Sequence, residues 1–242
     1  MEKLVKKVDL DAIKNVAIAM IHIPATPCPQ MMGMVVWHPY YNSPWLAIVE
    51  NGEITQLTYD DEKLYPKWIE FMTKRIQSFK NVNQIFLQLN SAYLMNFLRL
   101  SYQYWHDNKE LADALRYCWS YQECPNWTER GRSLLTCKKL FNKTRKYFME
   151  PEEQAHFDSL PERVTVYRGQ SHDGKYYKAL SWTDDLEKAT WFANRFKQHG
   201  ERGHLFKAEI NKKDIYVFNN ERGESELVLD YTKLENIEEL PL

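Results

Sequence analysis

Near the end of the chain, in NNERGESELVLD (Asn219–Asp230), two carboxylates, Glu224 and Glu226, stand one residue apart before the apolar run Leu227, Val228, Leu229. Upstream, Arg168 closes the strand-like run RVTVYRG, and Ser181 and Thr183 close KALSWT. Each polar residue sits at the end of a segment that would otherwise bury. A planar guanidinium presents paired donors that match a phosphate or pyrophosphate. A serine hydroxyl can orient a carboxylate or hold a ribose hydroxyl. A glutamate can bind a sugar hydroxyl and stabilise positive charge growing at an anomeric carbon. Together these groups describe a site for breaking an N-glycosidic bond beside a pyrophosphate.

Taken in order, VYRG, LSWT and ESE resemble the R-S-E class of mono-ADP-ribosyltransferases, related to the arginine-modifying bacterial toxins and to phage and defence-associated proteins; the resemblance covers about the last 80 residues. It implies NAD as co-substrate and no metal. Arg168 would contact the NAD phosphates or ribose, and the backbone at Gly169 would lie near the nicotinamide amide. Ser181 would align the catalytic glutamate, with Thr183 as third member of the S-x-T triplet. Glu226 would be that glutamate, holding the ribose 2′-hydroxyl as nicotinamide departs, and Glu224 would face the acceptor. Phe192 and Arg195, in FANR, resemble an aromatic-plus-arginine pair that stacks nicotinamide and grips phosphate. Trp182 stands in the middle of the triplet where many toxins have Thr; on a strand it points to the other face and is free to pack.

The elements that must position these residues follow from periodicity. After Pro161 the runs RVTVYRG, KALSWT, LFKAEI, DIYVF and SELVLD read as short strands, and DDLEKATWFANRF carries apolar residues at helical spacing with Asp184 and Asp185 suited to its N-terminus. Residues 91–160 read as helical, with a helix expected from Thr128 to Phe148. Residues 1–90 read as a mixed α/β part: a hairpin around Asn51 and Gly52, a helix over about 61–79, and a strand at VNQIFLQL. The expected fold class is α+β, with three parts at 1–90, 91–160 and 161–242. The resemblance implies that the last part is an ADP-ribosyltransferase fold of two small mixed or antiparallel sheets around an NAD cleft.

Composition narrows the partners. The 242 residues are 44% hydrophobic with net charge −1, so no global field announces a nucleic acid or an anionic membrane. Residues 151–242 carry 13 basic and 18 acidic side chains, leaving +4 for residues 1–150. Arg130, Arg132, Lys138, Lys139, Lys143, Arg145 and Lys146 crowd one predicted helix without an intervening acid, either a solvated face or a contact for nucleic acid or an acidic partner. Cys28, Cys118, Cys124 and Cys137 form no CxxC pair and read as reduced thiols; a zinc site from the last three with His106 has no known finger spacing. VAIAMIHIPATPCP is broken by prolines and reads as neither a signal peptide nor a membrane span, so the expected location is cytoplasmic.

Several readings stand side by side. The acceptor is a protein arginine or a nucleic acid, RNA or DNA, and a toxin role would imply an antitoxin partner. Water as acceptor would make the chain an NAD glycohydrolase. Residues 1–150 as a protein- or RNA-binding module beside an inactive lobe is a third possibility. In the plainest reading, Arg168 and Glu226 form an ordinary cross-strand ion pair and Ser181 is a turn residue. His172, His199 and His204 read as loop residues without a catalytic task, and Tyr167 and Tyr177 as strand packing. No GxGxxG, P-loop or HExxH pattern occurs.

Overall fold

The computed structural model describes residues 7–28, 31–122, 130–170, 177–195 and 203–242. Cys124, His172 and His199 lie outside them. The chain is α+β and divides into two compact units, Met1–Ser133 and Leu134–Leu242.

In the first unit, α1 (Leu10–Ile21) is capped by the Asp9 carboxylate, which accepts from the Ala12 amide at 3.1 Å. The apolar stretch near the N-terminus is thus the buried stripe of a short helix, formed by Ile13, Ala17, Met20 and Ile21. Strands β1 (Thr26–Pro27) and β2 (Val36–Trp37) pair briefly, and β3 (Trp45–Glu50) and β4 (Glu53–Thr58) form the expected hairpin. Asn51 and Gly52 take φ of 52° and 84°, the left-handed pair that a two-residue turn between right-twisted strands requires. Helix α2 (Tyr65–Ser78) carries Pro66 in its first turn, where a missing amide donor costs nothing.

VNQIFLQL does not form the expected strand; it folds as the short helix α3 (Asn83–Phe86). Asn81 Oδ1 accepts from the Gln84 amide at 3.2 Å, while Gln84 Oε1 accepts from the Lys80 amide at 2.6 Å. This reciprocal cap has no counterpart in a strand. Helices α4 (Leu94–Ser101) and α5 (Asn108–Tyr121) follow, the latter started by Asp107 accepting from the Lys109 and Glu110 amides.

His38 lies in this unit with its side chain fully buried. Its Nδ1 accepts from the Tyr40 amide at 3.1 Å, which leaves Nε2 to donate to the Ile21 carbonyl at 3.2 Å. The ring stacks on Tyr41 with centroids 3.9 Å apart. Burial drives its pKa down to about 4. The folded chain therefore binds fewer protons than the unfolded one between that value and the ordinary value near 6.5. The stability His38 contributes is full above pH ~6.5 and is lost as pH falls toward 4, about 3 kcal/mol in all. Denaturant unfolding across this range should give a slope that flattens in His38→Gln; an identical slope in the variant would refute the assignment.

The second unit contains most of α6 (Arg130–Phe148), then α7 (Pro151–Ser159), β5 (Arg163–Gln170), β6 (Ser181–Thr183), α8 (Leu186–Asn194), β7 (His204–Asn211), β8 (Ile215–Asn219), β9 (Glu226–Leu229) and β10 (Glu235–Leu240). The strands run antiparallel in the order β10-β7-β5-β6-β9-β8. β5 pairs with β7 along its whole length, from Arg163↔Asn211 to Gln170↔His204, yet meets β6 only at Tyr167↔Thr183. One residue pair thus joins two three-stranded halves.

Each face of this sheet has its own cover. Val164, Val166, Trp182, Phe206, Leu227 and Leu229 share one core, and Trp182 packs there as alternation requires, its indole N–H donating to the Ala179 carbonyl at 3.0 Å. On the other face, Ala189 and Ala193 of α8 pack with Leu205 and Tyr167. Tyr177 packs against the first core, so both tyrosines are packing residues. His204 is not a loop residue: it opens β7 and meets Glu239 of β10 at 2.6 Å. Among the described residues, no helix is long and apolar enough to cross a membrane.

Candidate active site

The cleft opens where β5 and β6 part. Arg168 reaches across the gap, its Nη1 donating to the Ser181 carbonyl at 2.6 Å. Thr183, 5% exposed, accepts from the Asp185 amide at 3.1 Å through Oγ1 and donates to the Glu224 carbonyl at 3.3 Å. Asp185 in turn caps α8 by accepting from the Glu187 and Lys188 amides. Phe192 is thereby set on a helix whose start is fixed to the strand that carries Ser181.

The two glutamates are joined through a turn. Glu226 opens β9, but Ser225 has φ of 49° and Gly223 has φ of 68°, so the chain passes from Glu224 to Glu226 through a left-handed residue and not an extended one. Asn220 holds the turn: its carbonyl accepts from the Gly223 amide at 2.9 Å and its Oδ1 from the Ser225 amide at 3.1 Å. Glu153 of α7, 6% exposed, accepts from the Asn220 amide at 2.7 Å. Asn219, 5% exposed, donates through Nδ2 to Glu226 Oε2 at 3.0 Å.

Arg168, Gly169, Ser181, Thr183, Phe192, Glu224 and Glu226 all line one cavity of about 280 Å³. Arg195 does not; its guanidinium lies 5.5 Å from the centre of the Trp191 ring, just past the end of α8. Arg168 on β5 and Glu226 on β9 have β6 between them, and Ser181 opens β6 instead of forming a turn. A second cavity of about 410 Å³ adjoins the first, sharing Phe192 and Glu224 as walls.

Gly169 has a reason of its own to lack a side chain. A Cβ there would fall 1.7 Å from the Ala189 carbonyl oxygen and 2.6 Å from the Ala193 amide nitrogen. The glycine lets α8 lie directly on β5.

Asn219 and Glu153 carry positioning roles that sequence reasoning did not assign. The Asn219–Asn220 pair before a Gly-containing turn is a signal for side-chain capping; nothing in the local sequence marks Glu153. The resemblance gives the alignment of Glu226 to Ser181, but strand register puts Thr183 opposite Glu226 and Val228 opposite Ser181.

The basic run of α6 divides between structure and surface. Lys138 meets Asp230 at 2.7 Å and lies over the Tyr231 ring, and the Arg145 guanidinium stacks on Phe157. Burial raises the Asp230 pKa, but hydrogen bonds from Lys138 and Thr232 outweigh it and hold the carboxylate below its ordinary value. Lys139, Lys143 and Lys146 remain exposed. The first unit has its own cavity of about 690 Å³, which places Glu110, Asp113 and Lys80 around a largely apolar wall that includes Phe86 and Trp105. Among the described residues, no disulfide joins Cys28, Cys118 and Cys137, and burial raises the Cys118 pKa.

Comparison with protein-family models, with curated proteins and with solved structures finds no match to this chain.

Proposed function

We propose that the chain is a mono-ADP-ribosyltransferase that takes ADP-ribose from NAD and passes it to a macromolecular acceptor. One observation carries the reading: Arg168, Ser181 and Glu226, from three separate strands, meet on one cavity at the joint between the two half-sheets. The two halves are also compatible with the pair of small sheets that the resemblance implies. At about 280 Å³ the cavity is of a size to take one end of a dinucleotide, at the lower limit of ordinary ligand pockets.

In this reading Arg168 grips phosphate oxygen or ribose and Phe192 supplies an aromatic wall for nicotinamide. Glu226, oriented by Asn219, holds the ribose 2′-hydroxyl and stabilises the positive charge that grows at the anomeric carbon as nicotinamide leaves. Glu224 stands at the wall shared by the two cavities, where a carboxylate can attract and help deprotonate an incoming guanidinium. A protein arginine is therefore the acceptor the site favours. Among the described side chains, Lys139, Lys143 and Lys146 present an exposed basic face, and a nucleic acid is the second acceptor to test.

The test is incubation of the full chain with adenylate-labelled NAD and a whole-cell lysate. The expected result is nicotinamide release with label on material that protease destroys. Label destroyed by nuclease would move the acceptor to nucleic acid. Release with no labelled macromolecule would make the chain a glycohydrolase, and a chain that neither binds nor consumes NAD would refute the reading.

A further inference from the structure

The turn that carries Glu224 also carries a guanidine. Arg222 Nε lies 3.2 Å from Glu224 Oε1, and both residues line the 410 Å³ cavity that adjoins the cleft. We infer that Arg222 is a modification site of this chain, receiving ADP-ribose from the cleft beside it; this rests on the reading of that cleft as an NAD site.

Three features carry the assignment. Glu224 and Phe192 are walls of both cavities, so a group held on Glu224 from the side of Arg222 sits next to the place where the anomeric carbon would be exposed. The turn is pinned through Asn220 to Glu153 and through the Glu224 carbonyl to Thr183, so the guanidine is kept near the cleft without any docking step. Such tethering raises the effective concentration of the attacking group far above that of a free acceptor. Finally, the side chains of Arg222 and Glu224 are 44% and 30% exposed. An ion pair this accessible contributes little stability of its own.

The step balances without an added reagent. The bond between the anomeric carbon and the nicotinamide nitrogen breaks, and its electron pair leaves with nicotinamide. A terminal Nη of Arg222 supplies the pair for the new N-glycosidic bond. One proton passes from that nitrogen to Glu224 and on to water, and the substituted guanidinium keeps its single positive charge.

The experiment is incubation of the full chain with adenylate-labelled NAD in the absence of any other macromolecule, followed by intact mass and peptide mapping. One ADP-ribose per chain is expected, on the peptide containing Arg222, at a first-order rate unchanged by dilution. In Arg222→Lys, which keeps the positive charge opposite Glu224 but has no guanidine, label on the chain per nicotinamide released should fall to background. NAD consumption with Arg222 unmodified, undiminished labelling in the lysine variant, or a first-order rate constant that rises with chain concentration overturns the intrachain transfer while leaving the NAD site standing. A chain that does not consume NAD overturns both.

Discussion

Glu226→Gln should lower nicotinamide release from NAD by about 10²- to 10³-fold, the usual cost of removing one preorganised electrostatic contact to a transition state. The substitution keeps the shape of the side chain and an oxygen able to accept from Asn219 Nδ2, now 3.0 Å from Glu226 Oε2. Glu226 is only partly buried, at the first position of β9. The far-ultraviolet circular dichroism and thermal midpoint should match those of the parent chain. What disappears is the negative charge, and with it the stabilisation of a cationic anomeric carbon. Unreduced release from a folded variant would remove Glu226 from the chemistry.

Gly169→Ala should cost about 3 kcal/mol of stability and impair NAD binding together, because overpacking against backbone has no rotamer through which to escape. The atoms that a Cβ would meet, the Ala189 carbonyl oxygen at 1.7 Å and the Ala193 amide nitrogen at 2.6 Å, belong to the helix itself. Relief comes only if α8 moves off β5, and Phe192 moves with it. Gly203 doubles the constraint, since a Cβ there would lie 1.9 Å from the Ala193 carbonyl oxygen. Thermal unfolding and NAD titration read the two effects; a variant with unchanged midpoint would show that the helix does not need this contact.

Much of this was readable in advance because it depends on local chemistry. The hairpin follows from Asn51 and Gly52, the cap of α8 from Asp185, and the inward packing of Trp182 from the two-residue period of a strand. Other features depend on partners far away in sequence. VNQIFLQL has the composition of a strand, and its helical turn is decided by the Asn81 and Gln84 side chains. β10 went unread because ENIEEL is polar: its carboxylates answer cations of the same sheet, Glu238 on Lys207 of the adjacent β7 and Glu235 on Arg163 of β5, one strand further. Arg168, Ser181, Glu224 and Glu226 were legible as residue types with a task, and their meeting on one cavity is compatible with that task. The left-handed Ser225 brings the two glutamates together, and Asn220, through its own side chain and carbonyl, makes that conformation affordable. At Gly169 the sequence offered only its place in the motif, and the approach of the helix lying on it is reported by no one-dimensional pattern.

The single joint at Tyr167↔Thr183 has a further consequence. Beyond it, among the described residues, no strand lies along the β6 side of Arg168 and Gly169. That margin of β5 is an interrupted ladder facing the cleft, and a planar carboxamide has one donor and one acceptor with which to continue it. Recognition there would be written in main-chain atoms, so that a replacement at the margin would act on it by displacing the backbone, as at Gly169, and not by removing a side-chain contact.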